Sequence, residues 1–215
     1  METDAELRRV VAVILMGGKA SRLGGRDKAS LVVGRKTCLE HVHQALSTHA
    51  ETVYLSVASD NRSFSETALP CIRDMQTGGL SRGVADVILG CLRFVRENTD
   101  AEYLLTSPVD TPFLPPDYAS RMRAVAQGAQ PVVACAHQRL HGLHALWPVA
   151  SEVEISRLVE EVGIRRIFAL HEEMKSIQVD FPVVHNVDPF YNINTEQDLR
   201  EARVLAERID SSLFR

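Results

Sequence analysis

Residues 11–28 read VAVILMGGKASRLGGRDK, an apolar run that passes directly into a turn rich in glycine and cations. The apolar run has no polar residue and is rich in β-branched side chains, which is typical of a strand buried on both faces of a parallel sheet. Gly17 and Gly18 follow where the strand ends, and residues without a Cβ let backbone N–H groups approach a phosphate closely. The stretch therefore predicts a buried parallel strand followed by a phosphate-binding loop.

Four cations lie within or just beyond this loop and strengthen the phosphate interpretation. They are Lys19, Arg22, Arg26 and Lys28. The stretch contains neither G-x-x-x-x-G-K-[ST] nor G-x-G-x-x-G, so it indicates neither a Walker-type P-loop nor a dinucleotide fingerprint. A surface turn with solvated basic side chains is the alternative that the residues alone leave open.

Composition narrows the class of protein. A chain of 215 residues with 45% hydrophobic content can bury the core of one α/β domain, and its formal net charge of −4 argues against nucleic-acid binding. The four cysteines include no Cys-x-x-Cys pair, which favours reduced thiols and a cytoplasmic location. No signal peptide and no apolar run of about 18 residues are visible, so a membrane protein is not indicated.

Strand-like and helix-like segments alternate along the whole chain. This alternation predicts a single α/β domain over residues 1–215, with a doubly wound, mostly parallel sheet and residues 1–9 as an N-terminal extension. The expected strands are 10–16, 52–58, 70–73, 103–107, 131–136, 143–147 and 176–179. The expected helices are 37–48, 84–95, 116–127, 152–161, 164–170 and 195–209. Thr37 with Glu40 and Thr195 with Asp198 form capping pairs that open the first and last of these, and 84–95 has the apolar period of an amphipathic helix.

Polar residues recur where the expected parallel strands end. Gly17 and Gly18 follow the first strand, Ser56 lies near the end of the second, Asp74 follows the third, and Asp110 follows the fourth. Ligands of such sheets bind at the carboxyl ends of the strands. A carboxylate facing a phosphate cradle is a natural Mg²⁺ ligand, although Asp-Thr-Pro also favours a simple turn.

Three sequence blocks carry a resemblance to a known family. Residues 15–28 resemble L-A-G-G-x-S-x-R-M-G-x-D-K of the molybdenum cofactor guanylyltransferase family, within the MobA-like nucleotidyltransferases. Residues 110–115, DTPFLP, are similar to D-T-P-x-x-P of that family, and residues 192–199, NINTEQDL, to N-x-N-T-P-E-D-L. The blocks stand in the family's order and span nearly the whole chain. The resemblance implies the Rossmann-like fold of nucleotide-diphospho-sugar transferases.

The resemblance also implies an activity. This would be Mg²⁺-dependent transfer of GMP from GTP to the terminal phosphate of molybdenum cofactor, with release of pyrophosphate. The implied partners are GTP and molybdenum cofactor as small-molecule substrates, without nucleic acid or membrane, and transient contacts with proteins that deliver or receive the cofactor. A cytidylyltransferase of the same cofactor, a sugar-phosphate nucleotidyltransferase and a non-catalytic nucleotide-binding regulator are the alternatives.

Site roles follow from the resemblance, position by position. The catalytic residues would be Arg22, Lys28 and Asp110, with Asp110 as metal ligand. The nucleotide would contact Leu15, Met16, Gly17, Gly18, Lys28, Ser56, Asp74 and Asp110. The acceptor substrate would contact Arg165, Arg166, Asn192 and Asn194. Met16 replaces the family's Ala, and residues 78–83 differ from G-P-L-A-G, so the base preference stays open.

Overall fold

Nine strands and six helices are present in the part of the chain that the computed structural model describes, which is residues 9–17, 26–57, 68–73, 83–183 and 186–212. The strands are β1 (Val10–Leu15), β2 (Val32–Val33), β3 (Lys36–Thr37), β4 (Thr52–Val57), β5 (Cys71–Arg73), β6 (Tyr103–Pro108), β7 (Val132–Ala136), β8 (Arg139–Pro148) and β9 (Ile177–Asp180). The helices are α1 (Cys38–Ser47), α2 (Val84–Asn98), α3 (Tyr118–Ala124), α4 (Glu152–Ser156, continued by a π-helical segment, Arg157–Glu161), α5 (Ile167–Glu173) and α6 (Glu196–Ser212).

The larger sheet has the strand order β5-β4-β1-β6-β8-β7-β9. β1 pairs in parallel with β4 on one side and β6 on the other, so that Val13 lies beside both Tyr54 and Thr106. β8 runs antiparallel to both β6 and β7, whereas β9 is parallel to β7. The prediction of a mostly parallel sheet is therefore confirmed, with β8 as the opposed strand.

The two faces of β1 bury its side chains in two separate cores. Ala12 and Ile14 pack in the core that includes Val42 and Leu46 of α1. Val11 and Val13 face the other way, into the core that includes residues 88 and 92 of α2. Helices on both faces explain why β1 shows no alternation of polar and apolar residues. The doubly wound arrangement predicted from the run is confirmed.

A short hairpin, β2–β3, was not predicted. Its two-residue strands turn at Gly34, whose φ of +62° lies in the left-handed region that glycine tolerates. Leu31 and Val33 pack there against Leu199 and Ala202 of α6, forming a third, smaller core. Strands of two residues are too short to show a hydrophobic period, so the pattern could not reveal them.

Other boundaries differ from the prediction for local reasons. β8 begins at Arg139, before the predicted 143, because the β7–β8 turn is tight: it contains two residues with positive φ, His137 and Gln138. α3 ends at Ala124 and α5 begins only at Ile167. No helix among the described residues is long and apolar enough to cross a membrane.

Gly83 lies where α2 begins and is in close contact with the backbone of Arg165. A Cβ built on Gly83 would be 2.2 Å from Arg165 O and 2.6 Å from Arg165 Cβ. The neighbouring Ala85 N donates to the same carbonyl at 3.2 Å, so the two segments cannot separate without losing a hydrogen bond. Only glycine fits between them.

We therefore expect Gly83→Ala to lower the free energy of unfolding by about 1–3 kcal/mol, the usual cost of overpacking. The matched control is Gly90→Ala in the exposed interior of the same helix, where no atom of the described residues outside the helix's own backbone lies within 4 Å of the added Cβ. That change should raise stability by up to about 1 kcal/mol through helix propensity. Urea unfolding monitored by circular dichroism measures both, and equal stabilities of the two variants would contradict the prediction.

Candidate active site

Three side chains from distant parts of the sequence meet just beyond the carboxyl end of β6. The Lys28 ammonium donates to Asp110 Oδ2 at 2.5 Å and to Asn194 Oδ1 at 2.7 Å. The side chains of Lys28 and Asp110 are only 12% and 8% exposed, so solvent screens their ion pair weakly. We call Lys28, Asp110 and Asn194 the cation triad.

Local hydrogen bonds hold Lys28 and Asp110 in place. Lys28 opens a 3-10 turn, and the side chain of Asp27 caps that turn by accepting from Ala29 N at 3.2 Å. Asp110 follows β6, whose continuation is tied to β1 by a bond from Val109 N to Leu15 O at 3.1 Å. Lys28 is therefore carried by a capped turn, and Asp110 by a loop that is bonded to the central sheet.

The N-terminus of α6 positions Asn194. Asp198 Oδ2 accepts from Asn194 N and Thr195 N, both at 2.8 Å, while Thr195 Oγ1 accepts from Asp198 N at 3.1 Å. This is a capping arrangement, and it confirms the predicted pairing of Thr195 with Asp198. Ile193 N also donates to the carbonyl of Asp110 at 3.0 Å, so the loop before α6 is bonded directly to the loop after β6.

The carboxylate of Asp110 is partly unsatisfied. Its Oδ1 is buried and has no hydrogen-bond partner among the residues described. Burial raises the pKa of Asp110, and the nearby Lys28 ammonium opposes that rise. A buried carboxylate oxygen without a donor is an available ligand for a hard cation.

The described residues fit a cation that takes most of its ligands elsewhere. They contain no group of three or more His, Cys, Asp or Glu side chains that could hold a metal ion. Mg²⁺ is commonly held by one or two carboxylates, with substrate phosphate oxygens and water completing its shell. Asp110, with its buried and unpartnered Oδ1 among the described residues, can serve as one such carboxylate.

The end of β1 is close to the same place. Met16 N donates to Ser56 O at 3.1 Å, which ties the end of β1 to β4. Leu15 and Ser56 are buried, Met16 is half-buried and Gly17 is exposed. Among the described residues, apart from the chain neighbours of Gly17, no atom lies within 4 Å of the position that a Cβ on Gly17 would take.

Comparison with known proteins identifies the family. Residues 12–176 match the family model of the MobA-like NTP transferase domain. The chain belongs to this family. A molybdenum cofactor guanylyltransferase of Acidiphilium cryptum (strain JF-5) is 39% identical over 191 residues, which are 89% of this chain and 92% of the relative. One of Rhodopseudomonas palustris (strain HaA2) is 36% identical over 200 residues, 92% of each chain.

Solved structures agree on the fold of this MobA-like transferase. The molybdopterin-guanine dinucleotide biosynthesis protein A of Archaeoglobus fulgidus is 23% identical, with a TM-score of 0.67 over 93% of this chain and 99% of that one. The 2-C-methyl-D-erythritol 4-phosphate cytidylyltransferase of Thermus thermophilus is 17% identical, with a TM-score of 0.59 over 93% and 99%. The predicted nucleotidyltransferase fold is thereby confirmed.

The predicted acceptor-site residues are not all in the same surroundings. Arg165 donates to the carbonyl oxygens of Val159 and Ile164, and its Nε lies 3.5 Å from Asp86 Oδ2. Its guanidinium thus joins the end of α4 to the start of α2. Arg166 is exposed directly before α5. Contact of either arginine with a substrate stays a prediction.

The other predicted site positions are Asn192, Gly18, Arg22 and Asp74. Asn192 is exposed, two residues before Asn194, and its substrate contact also stays a prediction. Gly18, Arg22 and Asp74 lie outside the described residues.

A buried polar network under Asp110 was not predicted. Thr111 Oγ1 donates to Pro108 O at 3.0 Å, so its remaining contact, 3.0 Å from His144 Nε2, is one in which the imidazole donates. Burial holds the pKa of His144 well below its ordinary value, and the ring is therefore neutral. The ring of Phe190 lies over it with centroids 4.5 Å apart. No local pattern joins residues 33 positions apart, so the sequence offered no signal for this network.

Proposed function

We propose that this protein transfers GMP from GTP to the terminal phosphate of molybdenum cofactor and releases pyrophosphate, with Mg²⁺ as the required cation. The observation that carries the proposal is the cation triad: a nearly buried lysine and aspartate next to the end of β1. This arrangement offers one positive group and one free carboxylate oxygen to a triphosphate and its cation. The choice of GTP and molybdenum cofactor is supported by relatives that are named molybdenum cofactor guanylyltransferase and are 30–39% identical over most of the chain.

The reaction requires little covalent chemistry from the protein. The acceptor phosphate is already an anion, so an oxygen of it can attack the α-phosphorus of GTP without a general base, and pyrophosphate leaves in line. The Lys28 ammonium has three N–H donors, two of which are directed at Asp110 and Asn194. When nucleotide binds, the same ammonium can donate to a phosphate oxygen and stabilise the charge that develops on the leaving group.

Asp110 would hold the divalent cation through Oδ1, while Gly17 leaves its backbone accessible to a phosphate. When bound, Mg²⁺ neutralises phosphate charge and reduces the repulsion between the two reacting anions. Gly18 and Arg22 belong to the same proposed phosphate site, and Ser56, Met16 and Asp74 to the nucleoside side. We also propose that the acceptor substrate contacts Arg165, Arg166 and Asn192. Other proteins would deliver the cofactor to this chain or receive it.

The proposal includes a cytoplasmic location and a single domain. None of the four cysteines forms a disulfide, which suits a reducing compartment. Lys28, Asp110 and Asn194 come from the first, middle and last parts of the chain, and their contact supports one domain over residues 1–215.

The decisive assay measures pyrophosphate release with Mg²⁺ and phosphate-bearing molybdenum cofactor, using GTP, CTP, ATP and UTP in parallel. We expect release with GTP only. Release with CTP only would replace the proposal with a cytidylyltransferase of the same cofactor. Release only when a sugar phosphate is the acceptor would indicate a sugar-phosphate nucleotidyltransferase. Nucleotide binding without release under any of these conditions would indicate a non-catalytic regulator.

A further inference from the structure

Lys28 occupies the carboxylate that the proposed cation needs. Its ammonium lies 2.5 Å from Asp110 Oδ2, and both side chains are nearly buried. A divalent cation on Oδ1 of the same carboxylate would lie close to this ammonium in a region where water screens charge poorly. The two positive groups therefore compete for one negative group.

Lys28 also has a second, exposed partner. Asn194 Oδ1 accepts from the ammonium at 2.7 Å, and Asn194 is exposed whereas Asp110 is buried. The lysine stem is flexible, so the ammonium can keep its bond to Asn194 while it leaves Asp110 for an anion on the exposed side. A nucleoside triphosphate is such an anion.

We propose that Lys28 couples the binding of the divalent cation to the binding of the nucleotide. Without nucleotide, Lys28 neutralises Asp110 and weakens its affinity for the cation. With nucleotide, the phosphates attract Lys28, and the released carboxylate binds the cation more tightly. This inference rests on the proposed function only in taking Asp110 as the cation ligand and the phosphates as neighbours of Lys28.

Thermodynamic linkage makes the effect reciprocal. A nucleotide that raises the affinity for the cation by some factor has its own affinity raised by the cation by the same factor. Direct attraction between cation and phosphates contributes to that factor in any such site. The part that Lys28 carries is the part that disappears when its charge is removed.

The first test measures Mn²⁺ binding without nucleotide, by the electron paramagnetic resonance signal of free Mn²⁺. Lys28→Met should bind Mn²⁺ about 10-fold more tightly than the unaltered protein, because the competing ammonium is gone. Lys36→Met is the matched control: it removes an exposed cation of the β2–β3 hairpin that contacts Gln44, and it should change the affinity by less than about 3-fold. Asp110→Asn should lose the binding.

The second test measures GTP binding in EDTA and in excess Mn²⁺. The gain in GTP affinity on adding Mn²⁺ should be larger in the unaltered protein than in Lys28→Met. Equal gains, or Mn²⁺ binding by Lys28→Met that is no tighter than normal, would overturn the coupling. If Asp110→Asn binds Mn²⁺ normally, the metal assignment of the proposed function fails as well. Loss of binding in Asp110→Asn without tightening in Lys28→Met overturns the coupling alone.

Discussion

Asp110→Asn is expected to lower the rate of pyrophosphate release by about 10²–10³-fold or more, the scale on which one preorganised charge-stabilising group acts in catalysis. The substitution keeps the shape of the side chain and removes its charge, so the proposed cation loses its protein ligand. An amide oxygen at this position still accepts from Lys28, and Ile193 N still donates to the backbone carbonyl. The loss should therefore appear in turnover rather than in folding.

Stability separates a chemical role for Asp110 from a structural one. Burial raises the pKa of Asp110, so a neutral replacement removes the cost of a buried charge, and its amide oxygen still accepts from the Lys28 ammonium. We therefore expect the variant to remain folded, with a cooperative urea transition, while its turnover is lost. The matched control is Asp117→Asn, at an exposed aspartate in the following loop that pairs only loosely with Arg121. Near-normal turnover of Asp110→Asn with Mg²⁺ would refute the metal assignment.

Lys28→Met is expected to lower kcat/KM for GTP by about 10- to 150-fold, which corresponds to the loss of one hydrogen bond to a charged group. The substitution keeps most of the apolar stem and removes the ammonium that contacts Asp110 and Asn194. Part of the loss should appear as weaker GTP binding. The remainder should appear in kcat, because charge on the leaving pyrophosphate develops during the reaction.

Lys36→Met is the matched control for Lys28→Met. Lys36 is exposed on the β2–β3 hairpin and contacts Gln44 of α1, so its loss should leave both kinetic constants within about 2-fold of normal. Steady-state kinetics with varied GTP, together with equilibrium GTP binding, measure the two parts separately. Unchanged GTP affinity and rate in Lys28→Met would show that the ammonium does not meet the phosphates.

Several elements could be predicted because their signals are local and long. β1 has an uninterrupted apolar run, and each of its faces is buried. α1 begins with the Thr37–Glu40 capping pair, which the structure confirms with bonds of 2.6 and 3.2 Å. α2 shows the period of an amphipathic helix and follows it to Asn98. In each case, the apolar pattern or the capping pair that predicts the element lies within the residues of that element.

Short or context-dependent features could not be predicted. The β2–β3 hairpin has too few residues for a period and is stabilised by packing on α6, which lies more than 150 positions away in the sequence. The sequence around Gly83 is typical of an ordinary loop glycine, yet the backbone of Arg165 is what excludes any other residue there. Arg165 is predicted from the resemblance to contact the acceptor, and nothing in its local sequence indicates that its guanidinium bonds to carbonyls at the end of α4.

The sequence by itself determined the candidate chemistry: a glycine-rich turn after a buried strand, a lysine within it, a carboxylate after a parallel strand, and an asparagine before a capped helix. Each of these depends on neighbours within a few residues, which is the range over which propensity and capping act. Only the tertiary structure decided that Lys28, Asp110 and Asn194 touch, and that Asp110 keeps one buried oxygen without a partner among the described residues. Those facts depend on how β1, β6 and α6 pack. Packing brings together residues that are far apart in the sequence, and no local sequence pattern predicts such a contact.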